Sequence, residues 1–208
     1  MKKFFVTIVA TLVMVSLSAQ DIKLPQPKTE GGKPFYSVLK DRQTNRNFSG
    51  KALDKQQISN LLWCANGINR PDGKRTAPSA RNCQEIDIYV FMSDGIYLYD
   101  AKENALLKVN DNDKRKSVSK RCEFAADAPV LLVFVANYDK MKGFDKEALE
   151  FYGATDCGYV SQNVYLFCAN EGLNTVVLGA IERDDLDKIL NISNGKVILA
   201  QPVGYPAK

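Results

Sequence analysis

The stretch from Phe151 to Ala180, FYGATDCGYVSQNVYLFCANEGLNTVVLGA, constrains the fold more than any other part of the chain. Cys157, Val160, Val164, Phe167 and Cys168 recur at helical spacing and give one strongly apolar face. Tyr159, Leu166 and Ala169 fall on other faces, so the helix is apolar most of the way round. Such a helix belongs inside a core or at an interface between subunits. Gly172 follows the last turn and suits the left-handed residue that ends a helix. Thr175 to Leu178 then reads as a short buried strand. Gly179-Ala180 closes it with almost no side chain, which lets a backbone N–H approach a ligand closely. Read alone, the stretch is a core helix followed by a core strand.

The chain has 208 residues, enough for one sizeable domain. Lys2-Lys3, the apolar run Phe4 to Leu17 and the small residues Ser18-Ala19 have the layout of a signal peptide cleaved before Gln20. The run is short and interrupted by Thr and Ser, unlike a good membrane span; an uncleaved anchor is the rival. The expectation is therefore an exported protein, in a bacterial periplasm, with no stable membrane association. Cleavage takes two lysines from 28 basic residues, leaving a near balance with 24 acidic ones. The basic run Asp113 to Arg121 has no interleaved aromatics and reads as a solvated helix face, so no nucleic-acid partner is expected. Residues 20–35, rich in Pro, Lys and Gly, read as a mobile leader, and 36–208 as the domain.

There are five cysteines and no histidine. The odd number and the spacings fit no disulfide framework, and no pair has zinc-site spacing, so no metal is expected. Without histidine, Ser-His-Asp and Cys-His schemes are excluded. An enzyme of this composition needs another carrier of reactivity, most simply an organic cofactor.

Along the chain, a short helix begins at Tyr36–Lys40. Asp54 with Gln57 three residues on forms a capping box for a helix that buries Ile58, Leu61, Leu62 and Ala65 and closes at Gly67. Strands are expected at 86–92, 96–99, 105–109, 129–136 and 197–203, a polar helix at 113–124, a lid-like loop with a helical turn at 138–150 and a short helix at 184–190. This is an α+β domain, with helices around a mixed, mostly antiparallel sheet of about four or five strands. Arg42 and Arg46, four apart with Thr44 between them, can converge on one anion, although two solvated arginines would read the same way. The loop Ala77 to Gln84 offers small residues, backbone N–H groups and amides, which suit a planar heterocycle.

Taken in order, these motifs resemble the FMN-dependent nitroreductases, especially the subgroup similar to dehydrogenases that oxidise azoline rings in peptide toxins. The carriers are Arg42-Gln43-Thr44-Asn45-Arg46-Asn47-Phe48, the run from Leu61 to Arg70, Ala77 to Gln84, Asp127-Ala128-Pro129, Gln162 to Leu166, and Pro202-Val203-Gly204-Tyr205-Pro206. The resemblance implies a homodimer with two FMN molecules at its interface. It implies that Arg42 and Arg46 hold the FMN phosphate, with Gln43 and Thr44 nearby. Pro78, Ser79, Ala80 and Asn82 would contact the flavin from the other subunit. Gly179 and Ala180 would pass beside the isoalloxazine, and Arg121 would face its pyrimidine edge. One departure is that Glu85-Ile86 follow Gln84 where the family often has Pro-Trp.

Three functions follow for comparison. The first is hydride transfer through FMN from a donor such as NAD(P)H to a flat nitroaromatic or quinone acceptor. The second is an exported, non-catalytic flavin-binding protein. The third is a dimer that has lost its flavin, which the intact Arg42, Arg46 and 78–82 loop argue against.

Overall fold

The computed structural model describes residues 20–208; the expected signal peptide lies outside them. The elements in order are β1 (Ile22–Lys23), α1 (Phe35–Asp41), α2 (Lys55–Asn66), β2 (Ile86–Met92), β3 (Gly95–Asp100), β4 (Ala105–Asn110), β5 (Val130–Asn137), α3 (Lys146–Glu171), β6 (Asn174–Thr175), α4 (Arg183–Leu190) and β7 (Gly195–Gly204). The strands form one 7-stranded sheet in the order β1-β4-β3-β2-β5-β7-β6. The expected four or five strands were too few, because β1 and β6 are two-residue edge strands with no periodicity to read. The expected mixed sheet is also corrected, since every pairing of named strands is antiparallel.

Both faces of the central strands are covered. Ile88, Val90, Leu132 and Phe134 pack with Leu61, Leu62 and Ala65 of α2 and with Cys157, Val160 and Val164 of α3. On the opposite face Phe91, Leu131, Val133 and Val197 pack with Val118, Leu178, Leu186 and Leu190. Burial on both faces explains the unbroken apolar run of β5, which an alternating half-buried strand would not show.

The helix ends follow the capping signals. Gln57 N–H donates to Asp54 Oδ1 at 2.8 Å, and Asp54 N–H donates to Gln57 Oε1 at 3.2 Å, a closed capping box. Asp54→Ala should therefore cost about 1 kcal/mol; a lower midpoint in chemical denaturation with an unchanged slope checks it. Gly172 ends α3 at φ 68 in the left-handed region.

Three local expectations fail for identifiable reasons. The polar helix over 113–124 is two short 3-10 turns, Arg115–Ser117 and Glu123–Asp127. Asp113 Oδ1 accepts the Arg115 N–H at 3.0 Å, a local side-chain bond that competes with helix. The loop 138–150 is half helix, because Asp145 caps α3 by accepting the Ala148 N–H at 2.8 Å. The strand expected over 175–178 is interrupted: β6 stops at Thr175, the Val177 N–H donates to Tyr165 OH, and pairing with β7 resumes as a single bridge between Leu178 and Ala200.

Residues 20–35, read from composition as a leader, lie against the domain at their start. Ile22–Lys23 pairs with β4, Leu24 is buried, and the Pro25 carbonyl accepts from Ser59 Oγ and Asn104 Nδ2. Among the described residues no helix is long and apolar enough to cross a membrane.

Candidate flavin site

The arm that follows α1 is fixed by α3 and by the chain beyond it. Tyr165 of α3 is the hub. Its hydroxyl accepts the Val177 N–H at 2.9 Å and lies 3.1 Å from Thr44 Oγ1, and its ring carries the Arg42 guanidinium 5.3 Å from the centroid. Asn45 N–H donates to the Thr175 carbonyl at 3.0 Å, and the Asn174 amide donates to both oxygens of Asn47. Arg42 is thus half-buried and aligned, while Arg46 is exposed. Neither guanidinium has a carboxylate partner among the described residues. Two unneutralised arginines on a pinned arm suit a doubly charged anion such as phosphate. Gln43 lines an adjoining cavity of about 350 Å³ with Asn45, Tyr165 and Asn174.

Gly179 and Ala180 follow on the same strip of chain. Their carbonyls are tied back: Ala180 O accepts from Ser119 Oγ at 2.6 Å, and Gly179 O accepts from Arg183 Nη1 at 3.1 Å. Glu182 N–H donates to the Val118 carbonyl at 2.9 Å, so the 117–122 turn, which carries the exposed Arg121, docks here. Ala180 is exposed, and its N–H has no acceptor among the described residues. A side chain at Gly179 would meet nothing within 4 Å, so the space in front of it is open. The sequence missed Ser119, Tyr165 and Arg183. Tyr165 alone carried a signal, since a phenol on the buried side of a core helix needs a partner for its hydroxyl.

The 78–82 loop sits elsewhere. Arg81, Asn82 and Gln84 have φ of 51°, 56° and 52°, left-handed conformations that cost energy in residues other than glycine. The turn persists because it is held at several points. Ala80 N–H donates to Asp156 Oδ2 at 2.7 Å, Gln84 N–H to Ser79 Oγ at 2.9 Å, and Arg75 Nε to Gln84 Oε1 at 2.9 Å. Pro78 and Asn82 are exposed, and the Arg81 guanidinium stacks 4.4 Å from the Phe144 ring centroid.

The two groups share α3 but not a face of it. Asp156, which holds the loop, precedes Tyr165, which holds the arm, by nine residues. Nine residues of helix amount to about 13.5 Å of rise and about 180° of rotation. The arm and the 78–82 loop are therefore held from opposite sides of α3. A cavity of about 630 Å³, lined by residues 48–58, 92–94, 115 and 126–130, includes none of these residues.

The outer surface of α3 and α1 is unusually apolar. Phe151 and Tyr159 of α3 are 62% and 47% exposed, and Phe35 and Tyr36 of α1, which packs on α3, are 62% and 85% exposed. Exposed aromatics grouped on adjoining helices mark an interaction surface.

The nucleophile question closes on the cysteines. All five are free, and burial pushes the thiols of Cys157 and Cys168 far up and that of Cys64 to about 11. These thiols stay protonated and behave as small apolar side chains.

Comparison with known proteins gives a consistent result. The model of the nitroreductase family matches residues 39–205. A candidate nitroreductase of Methanocaldococcus jannaschii is 29% identical over 176 residues, covering 80% of this chain and 88% of that protein. The crystal structure of a candidate nitroreductase from Ralstonia eutropha JMP134 is 35% identical, covers 93% of each chain and superposes with a TM-score of 0.86. A candidate NADH oxidase from Clostridium acetobutylicum is 28% identical, with a TM-score of 0.60, and covers 82% of this chain and 88% of that one.

Proposed function

The chain belongs to the nitroreductase family of oxidoreductases, and we propose that it binds FMN between two copies of itself and transfers hydride from a nicotinamide donor to a flat acceptor. The observation that carries this reading is the placement of the arginine arm and the 78–82 loop on opposite sides of α3. One chain offers two half-sites, and two chains back to back would complete two whole ones. The exposed aromatics of α1 and α3 lie where a second copy would cover them.

The residues fit FMN by chemistry. Arg42 and Arg46 supply paired, unneutralised cations for a phosphate, with the Thr44 hydroxyl beside them. Gly179 leaves open space for a ring, Ala180 offers an unclaimed N–H to it, and Arg121 offers a cation at its edge. Ser79 and Asn82 offer hydroxyl and amide groups from the loop. FMN when bound supplies hydride chemistry that no side chain here can, and the chain's own residues bind it, orient it and keep water from one face. Gly179→Val should fold with unchanged stability, because its side chain enters open space at an ordinary φ, yet should lower FMN affinity at least tenfold. Isothermal titration with FMN checks it.

Donor and acceptor would share the one open face in turn, giving ping-pong kinetics with parallel double-reciprocal lines. The NADH in the name of the Clostridium relative supports a nicotinamide donor; aromatic nitro compounds and quinones are the acceptors to try. The motif order supports a place beside the azoline-oxidising subgroup, and the layout of residues 1–19 supports export to a periplasm. Stopped-flow mixing with NADH, NADPH and then dithionite tests the activity. Bleaching by a nicotinamide and recovery on adding an acceptor is the expected result. Bleaching by dithionite alone, with no acceptor turned over, would instead mark an exported flavin-binding protein.

A further inference from the structure

Glu85 is the point where the chain departs from the family pattern, and none of the contacts above uses its side chain. It is 0% exposed, its backbone carbonyl accepts the Asn137 N–H at 3.0 Å, and among the described residues neither of its carboxyl oxygens has a hydrogen-bond donor. The carboxyl lies within hydrogen-bonding reach of Asp156, itself 3% exposed. Asp156 in turn accepts the Ala80 N–H at 2.7 Å. Two buried carboxylates in contact repel, and burial disfavours the ionised form of Glu85.

The neighbours relieve this only in part. Lys140, on the turn after β5, is the nearest cation, but its ammonium is 2.6 Å from Asp87 Oδ1 and 3.4 Å from the Gln84 carbonyl. Arg81, from the loop, is spent on the Phe144 ring. The remaining titratable neighbours are the thiols of Cys83 in the loop and Cys157 on α3, both shifted upward. A proton between the two carboxyls removes the repulsion and gives Glu85 a bond to make.

We propose that Glu85 and Asp156 share one proton and act as a positioning clamp on the flavin loop: the neutral Glu85 carboxyl donates to the Asp156 carboxylate, which holds the Ala80 N–H and with it the strained turn. The positioning role rests on the reading of residues 78–82 as flavin contacts. Burial above all, with the contact with Asp156 added, pushes the Glu85 carboxyl up to about 7 from an ordinary value of 4.5, against the opposing pulls of its own backbone and of Lys140. The folded value lies above the unfolded one. Stability from the neutral acid is therefore complete below about 4.5 and is lost as pH rises to about 7. Within that window the folding constant should fall about tenfold per pH unit, and above it the profile should be flat.

Glu85→Gln tests the clamp, because the amide donates to Asp156 as the neutral acid does but cannot ionise. Denaturant unfolding of the full chain at pH 5 and pH 8 should show the wild type losing about a hundredfold in folding constant relative to the variant. Equal profiles would overturn the proposal. If Glu85→Gln fails to fold, Asp156→Asn serves: its amide gives Glu85 a donor and removes the repulsion, so the slope should shrink although burial remains, and an unchanged wild-type slope would overturn the shared proton. FMN titrations at both pH values separate this proposal from the flavin reading. The wild type should lose affinity more steeply with pH than Glu85→Gln; identical losses would overturn the positioning role. A stability slope abolished by Glu85→Gln in a chain that takes up no FMN would support the shared proton and refute the flavin site instead.

Discussion

Tyr159→Asp should convert a dimer into a monomer and strip it of FMN in the same step. Tyr159 is 47% exposed on α3, two turns after the exposed Phe151, and α1, which carries the exposed Phe35 and Tyr36, packs on the same helix. If a second copy covers this surface, the substitution removes a buried aromatic contact and leaves a carboxylate without water. Loss of an interface tyrosine costs about 2–4 kcal/mol, and the desolvated charge adds to it. The fold itself should survive, because the buried stripe Cys157, Val160, Val164 and Cys168 points the other way. Sedimentation at micromolar concentration should show a dimer for the wild type and a folded monomer for the variant, with flavin retained only by the former. A wild-type monomer that holds FMN would show that the two half-sites do not need each other.

The second large effect is expected at the arginine arm. Arg42→Ala and Arg46→Ala should each weaken FMN binding by about 1.5–3 kcal/mol, one to two orders of magnitude in Kd, through loss of a charge-assisted contact to phosphate. Neither residue holds the arm in place. That is done by Asn45 on Thr175, Asn174 on Asn47, and Thr44 on Tyr165, so the unfolding midpoint should move little. Arg42 should show the larger structural penalty of the two, since its guanidinium also lies over the Tyr165 ring. Riboflavin, which lacks the phosphate, should bind wild type and variants alike. An unchanged FMN Kd in both variants would remove the phosphate site from the account.

The parts of this fold legible in the sequence are those governed by local rules. The Asp54 capping box, the Gly172 terminus, the inward stripe of α3 and the β5 core strand each announce themselves within a few residues. The parts that were not legible depend on partners distant in sequence. Strands β1 and β6 exist only because β4 and β7 offer them an edge. The polar run 113–121 looked helical, and Asp113 and Ser119 turned it into struts: one folds back on Arg115, the other reaches Ala180. The same distinction divides the site. Arg42, Arg46 and the 78–82 loop could be picked out as motifs, but their placement on opposite sides of α3 follows from Asp156 and Tyr165. Nothing in the immediate neighbourhood of Asp156 sets it apart, and Tyr165 shows only that its hydroxyl needs a partner, not which one. Glu85 was visible only as a mismatch to the family pattern, and its meaning depends on a carboxyl 71 positions away in the chain.

The most direct test is the absorption spectrum of the purified full chain, read together with its FMN content. The proposed site predicts a yellow protein with the flavin bands of bound FMN, about one FMN for each chain, released on unfolding. A folded, colourless protein that takes up no FMN when the cofactor is added in excess would contradict it.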